Sequence, residues 1–273
     1  MAARAVEANG IRFHVRDEGE GTPVVFLHGF PDTGELWRPQ IDALAARGFR
    51  CVAPDLRGRG ESERPQDVEA YRLSTMVGDV TGIMDALAIE RAHVVSHDWG
   101  AALGWVVAAL APERVDHFVA ISVGFPGAAP ADLESLQKGW YRLMFLFPGV
   151  AEKLLRANDW WLLKTFSGGG DAEAHARELG DDEKLTAAVN WYRANIRPER
   201  LTGHASKLPP VRSPTMGIFS TGDLFLAESG MLASAEKVTG PWRYERLEGV
   251  SHWVPTEAAD DLNRLLLDFL PLR

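Results

Sequence analysis

The sequence predicts an α/β fold in which a mostly parallel, eight-stranded sheet carries helices on both faces and a helical cap is inserted late in the chain. Three observations predict it. Short apolar runs, Val24-Val25-Phe26-Leu27, Cys51-Val52-Ala53, His93-Val94-Val95, Phe118 to Val123 and Met216 to Phe219, are continuous rather than alternating, as strands buried on both faces require. Segments of helical pattern separate the earlier runs, which is how parallel strands are connected. That rhythm stops between Phe125 and Val211, where a long helical stretch replaces it, too long for a plain loop.

The elements follow in order. Asn9-Gly10 lies between a first short strand and the alternating Ile11-Arg12-Phe13-His14-Val15-Arg16, a hairpin with a tight primed turn and hence an antiparallel edge. Glu35 to Arg47 and Leu73 to Leu87 supply helices, and the nearly all-apolar Trp99 to Leu110 is expected to be the buried central one. A last strand lies around Arg243 to Leu247. Leu262, Leu265, Leu266, Phe269 and Leu270 then fall on one helical face and close the fold. The expected organisation is a core of residues 1–125 and 211–273 with a cap of residues 126–210. The cap holds Trp140, Trp160, Trp161 and Trp191, and its run Ser167-Gly168-Gly169-Gly170-Asp171 reads as a turn.

Composition narrows the classes of function. A chain of 273 residues fits one large domain or a core with an insertion, and its net charge of −9 argues against a nucleic-acid footprint. The opening residues Met1 to Glu7 lack a leader's apolar core, and the most apolar stretch, Trp99 to Ala111, is too short to span a bilayer. A cytoplasmic protein is the expectation, with no membrane partner. The single cysteine, Cys51, sits in the apolar Phe49 to Ala53 and reads as a buried strand thiol. No Gly-x-Gly-x-x-Gly, no phosphate-binding loop and no Gly-x-Ser-x-Gly occurs. His93 and His97 have zinc-like spacing but lie on a strand, where they would not converge. No cofactor and no metal are expected, and nothing specifies an oligomeric state.

The chemistry centres on Asp98. In Ser96-His97-Asp98-Trp99-Gly100 it stands at a sharp turn between a strand and a helix, the geometry that exposes a nucleophile above the sheet's carboxyl end. A carboxylate there is ionised at neutral pH without help, and its natural target is an electrophilic alkyl carbon. Asp223 in Thr221-Gly222-Asp223 and His252 in Gly249-Val250-Ser251-His252-Trp253 follow two later strands, giving the chain order nucleophile, acid, histidine. His28-Gly29-Phe30-Pro31 follows the strand Val24 to Leu27, so the backbone N–H groups of Phe30 and Trp99 could form an oxyanion hole. His28 itself reads as a structural hydrogen-bonding residue.

Together these motifs, with Trp37 and Asp55-Leu56-Arg57-Gly58-Arg59-Gly60-Glu61-Ser62, make the chain resemble the α/β-hydrolase-fold epoxide hydrolases, a superfamily shared with haloalkane dehalogenases. Trp140 to Glu152 and Asn190-Trp191-Tyr192-Arg193 are similar to the two lid segments from which that family projects a pair of tyrosines. The resemblance implies Tyr141 and Tyr192 as donors to the epoxide oxygen, a need that follows because an alkoxide is a poor leaving group. It further implies an Asp98 hydroxyalkyl ester released by His252-activated water, with a small apolar epoxide and water as the partners. Two departures stand out: Ser96 replaces the glycine usual at the turn, and Phe145-Leu146-Phe147 is more apolar than the family's pattern before Pro148-Gly149. The alternatives are haloalkane dehalogenation with Trp99 and a lid tryptophan binding halide, and a ligand-binding receptor on a retired hydrolase core. The intact Asp98, Asp223 and His252 weigh against the latter.

Overall fold

The computed structural model describes residues 3–128, 132–166, 171–198 and 207–273. An eight-stranded sheet organises the molecule: β1 (Arg4–Ala8), β2 (Ile11–Glu18), β3 (Thr22–Leu27), β4 (Phe49–Pro54), β5 (Ala92–His97), β6 (Val115–Ile121), β7 (Thr215–Ser220) and β8 (Trp242–Leu247). Their spatial order is β1-β2-β4-β3-β5-β6-β7-β8, with β2 antiparallel to both its neighbours and every other pairing parallel. The hairpin turn has positive φ at both Asn9 (48°) and Gly10 (72°), the primed geometry that matches strand twist.

Helices α1 (Arg38–Ala45), α2 (Leu73–Ala86) and α3 (Trp99–Leu110) fill the crossovers. The expected helix from Glu35 to Arg47 is in fact two pieces, a 3-10 turn Gly34–Trp37 and then α1, with Pro39 at the start of α1 where its missing N–H costs nothing. The strand expected over Phe118 to Val123 runs instead from Val115 to Ile121. It ends early because Ser122 takes φ 70° and Val123 N–H turns back to the Ile121 carbonyl. Between β6 and β7 lie α4 (Leu133–Lys138), α5 (Trp140–Met144), α6 (Val150–Phe166), α7 (Ala172–Glu178) and α8 (Asp182–Asn195). The α6 span is broken at Ala157 to Trp160, where three successive residues have positive φ. Asp132, Asp171 and Asp181 cap α4, α7 and α8, each accepting a backbone N–H of the first turn. The turn expected at Ser167 to Gly170 lies outside the described residues. Short helices α9 (Glu228–Ala233) and α10 (Val254–Glu257) precede α11 (Ala259–Phe269), which buries Leu262, Leu265 and Leu266.

Two apolar clusters lie on the two sides of the sheet. One joins α2, α3 and the helices between β6 and β7; the other joins α1 and α11 and includes Cys51, whose thiol burial pushes its pKa up to about 12. No helix among the described residues is long and apolar enough to cross a membrane.

Candidate active site

Asp98 leaves β5 with φ 53° and ψ −123°, a strained conformation for a residue with a side chain, and is followed at once by α3. Such a turn leaves no space for neighbours: a Cβ at Gly29 would overlap the Asp98 carboxylate, and one at Gly100 would strike the Leu27 carbonyl. Ser96 fits in place of the usual glycine because its buried hydroxyl donates to the Val119 carbonyl at 2.8 Å.

Three strand ends deliver the charged groups. Phe30 N–H, just beyond β3 and before a cis Phe30-Pro31 bond, donates to Asp98 Oδ1 at 2.8 Å. Trp99 is the first residue of α3, so its N–H has no partner within the helix and lies at the helix's positive end. Asp223, in the turn after β7, accepts from Phe225 N–H (2.7 Å) and Leu226 N–H (3.1 Å) through one oxygen and meets His252 Nδ1 at 2.7 Å with the other. His252 Nε2 faces Asp98 Oδ2 at 3.6 Å. The sequence-predicted carboxylate, acid and histidine are therefore in one line.

Electrostatics follow from that line. Burial works against charging Asp98 and Asp223, but the His252 ring, and for Asp98 also His97 and Phe30 N–H, overcomes it and holds both carboxyls below the ordinary range. Burial also opposes charge on His252, yet the two carboxylates raise it to about 10. The resting arrangement is an imidazolium between two carboxylates.

Opposite Asp98, Tyr141 of α5 and Tyr192 of α8 line the same small cavity of about 40 Å³, lined also by Phe30, Phe145, Leu155, Leu163, Phe225 and Trp253. The Tyr192 ring packs edge-on against Phe145 (4.7 Å), Trp99 (4.9 Å), Phe30 (5.6 Å) and Tyr141 (6.1 Å). Burial, with the Asp98 charge adding to it, raises both phenols, so they are neutral donors at any ordinary pH. An ionised carboxylate facing two neutral phenols across an apolar gap can attack a carbon while the phenols hydrogen-bond the oxygen it releases.

Comparison with known proteins identifies the family. Residues 22–169 match the α/β hydrolase fold family. Epoxide hydrolase A of Mycobacterium tuberculosis is 32% identical, across 98% of this chain and 96% of its own length. The chain belongs to the α/β-hydrolase-fold epoxide hydrolases. A second relative, the AB hydrolase superfamily protein YfhM of Bacillus subtilis, is 30% identical over 97% of this chain and 96% of its own. Among solved structures, epoxide hydrolase A from Mycobacterium thermoresistibile superposes with a TM-score of 0.85 at 29% identity, covering 100% of this chain and 99% of that one. Epoxide hydrolase VrEH1 from Vigna radiata gives 0.83 at 30% identity, covering 98% and 97%.

In this epoxide hydrolase family member several supporting residues escape a sequence reading. His97 is fully buried, its Nε2 meets the His252 carbonyl at 2.9 Å, and burial first of all lowers its pKa to about 4, so it is a neutral prop for the His252 loop. Asp32 takes His175 Nε2 of α7 at 2.9 Å on one oxygen and Trp253 Nε1 at 3.2 Å on the other, joining the helices above the cavity to the His252 loop. The sequence holds no local signal for either contact. His28 is the structural residue expected: its Nε2 accepts from Leu56 N–H (2.9 Å) and its Nδ1 reaches the Gly29 carbonyl (2.9 Å). His93 and His97 do not converge, as their strand position requires. Among the described residues the only trio of potential metal donors is His93, Asp116 and His117, at the far end of β5 from Asp98.

Proposed function

We propose that this hydrolase opens an epoxide by attack of Asp98 Oδ2 on a ring carbon while Tyr141 and Tyr192 hold the ring oxygen, giving a hydroxyalkyl ester of Asp98. One phenol gives its proton to the alkoxide as the C–O bond breaks. Esterification removes the Asp98 charge, which is one of the two that raise the His252 pKa. His252 can then give its proton back to the phenolate and act as a base toward water, with Asp223 keeping its Nδ1–H oriented. Water attacks the ester carbonyl carbon, and the oxyanion on Oδ1 is met by the N–H groups of Phe30 and Trp99. The C–O bond to the substrate breaks, the leaving alkoxide takes the proton of the new Asp98 carboxyl group, and a vicinal diol leaves with Asp98 ionised and His252 again protonated. An imidazolium in the resting state also explains why His252 does not compete for the epoxide: its nitrogens have no free lone pair.

The observation that carries this reading is the Asp98 carboxylate facing both tyrosines within one apolar cavity. Residues 126–210 serve as the cap that brings them there, and residues 1–125 with 211–273 as the core. The narrow apolar lining favours a small, lipophilic epoxide. Dehalogenation finds less support: among the described residues no lid tryptophan lines the cavity, and the indole N–H of Trp191 is held by the Arg57 carbonyl at 3.1 Å. The test is diol formation from small aryl and alkyl epoxides, beside halide release from matched haloalkanes. Diol without halide release is expected; halide release with the epoxides untouched would reverse the assignment.

A further inference from the structure

At the amino edge of the sheet, opposite the cavity, β5 and β6 pair with a bulge. Ala92 pairs with Val115 and Val94 with Phe118, so the single residue His93 stands across from two, Asp116 and His117. An extra residue in a strand re-aims side chains, and here it brings three potential donors together. Asp116 Oδ2 lies 3.4 Å from His93 Nδ1 and 3.7 Å from His117 Nδ1, with all three atoms inside 4.8 Å of one another. His93 is fully buried, and neither Nδ1 atom has a hydrogen-bond partner. The other nitrogen of His93, Nε2, meets the Pro271 carbonyl at 3.0 Å, which places the ring proton there and turns a bare lone pair toward Asp116.

We propose that His93, Asp116 and His117 form a binding site for a divalent transition-metal ion, apart from the hydrolytic cavity. The His93 lone pair, the second imidazole nitrogen and a carboxylate oxygen meeting in one place form a donor set that a divalent cation satisfies together. Bonds of about 2.0–2.2 Å in tetrahedral geometry separate donor atoms by roughly 3.4 Å, and the two Asp116 distances are already close to that. The remaining closure falls to His117, whose side chain is 19% exposed and packs edge-on against His93 and Phe269. The Pro271 carbonyl behind His93 is the outer-shell hydrogen bond that ligating histidines ordinarily make. The protonation states suit a metal: burial lowers both histidines, His93 to about 4, and although burial is the largest influence on Asp116, the Arg273 guanidinium together with the two neighbouring rings overcomes it and keeps the carboxyl below its ordinary value. Two imidazoles and one carboxylate select zinc, cobalt or nickel over magnesium or calcium.

Within the chain, that position has a competitor. The Arg273 guanidinium lies against Asp116 Oδ2, and Arg91 stands 3.6 Å from Oδ1. The Arg273 side chain is 42% exposed, so it can swing into solvent, and an entering ion replaces it on Asp116. Metal binding at β5 and β6 is thereby tied to the last residues of the chain.

The test titrates the untagged full-length protein with Co²⁺, follows its visible d–d bands, and displaces it with Zn²⁺. A saturable cobalt spectrum reversed by zinc is expected, with a zinc-dependent rise in Tm. His117→Ala and Asp116→Asn should each weaken binding ~10-fold or more, Arg273→Gln should tighten it several-fold by removing the competitor, and His252→Gln should leave it unchanged. His117 and Asp116 are replaced separately so that misfolding of one variant still leaves a reading. The proposal is overturned if the wild type shows no cobalt spectrum, if His117→Ala and Asp116→Asn bind like the wild type, or if His252→Gln abolishes binding, which would move the ion to the cavity.

Discussion

The carboxyl edge of the sheet and the helices above it line the same cavity by different physical means. At the sheet edge each reacting group is held by directional hydrogen bonds from backbone fixed by strand ends. Phe30 N–H grips Asp98 Oδ1, two N–H groups grip Asp223 Oδ1, and the His97 ring props the His252 carbonyl. Above the cavity, Tyr141 and Tyr192 are positioned chiefly by aromatic edges, Phe145 touching both. What ties those helices down is a handful of polar links: the part-buried Arg193–Glu152 ion pair at 2.8 Å, Trp191 to the Arg57 carbonyl, and His175 to Asp32. The difference teaches that charge is fixed by a rigid frame, while the neutral donors and the shape of the pocket rest on packing, which tolerates change.

That division can be tested by its consequences. Loss of His252 should be the largest effect. His252→Gln should lower turnover by about 10⁴ or more, yet still consume one equivalent of epoxide in a burst and accumulate a covalent adduct on Asp98 visible by intact mass. Normal turnover by this variant would dissolve the assignment of the sheet edge. The tyrosines should matter less singly, since each is one of two donors: Tyr141→Phe and Tyr192→Phe should each reduce the rate of ester formation by roughly 10²-fold, and the double variant by far more, with Tm little altered. Equal and negligible losses would mean the tyrosines only pack.

Smaller still is a pH effect. His252 has a folded pKa raised to about 10, above its ordinary value of 6.5, so the fold favours its charged form. The stabilisation is complete below pH ~6.5 and is lost as pH rises through about 10. Tm of the wild type should therefore fall across that window. In Asp98→Ala, where one of the two flanking carboxylates is gone, the fall should be smaller and end at lower pH; coincident curves would contradict the coupling.

The same contrast governs what the sequence discloses. Asp98 and Asp223 are legible because each follows a strand whose apolar run is visible, and His252 because it comes next in the chain order nucleophile, acid, histidine. The five central strands are legible from their apolar runs, apart from an end at β6 that the positive φ of Ser122 shifts, and the first two from their Asn9-Gly10 hairpin, whereas β8 carries no such run. Tyr141 and Tyr192 come forward only through resemblance to a family, since amphipathic helices hold many aromatic residues that merely pack. Asp32, His97 and His175 are illegible, because their contacts join segments far apart in the chain and no local pattern specifies them. The break in α6 at Asn158 to Trp160 is likewise hidden inside a helix-forming composition.

The most direct trial of the central claim is a single turnover in heavy-oxygen water with enzyme in excess of epoxide. The account predicts that the diol forms unlabelled and that one heavy oxygen appears in the peptide carrying Asp98, because the first diol takes its new oxygen from the carboxylate. Label found in the diol at that first turnover, with Asp98 unlabelled, would mean that water attacks the epoxide directly and that no ester forms.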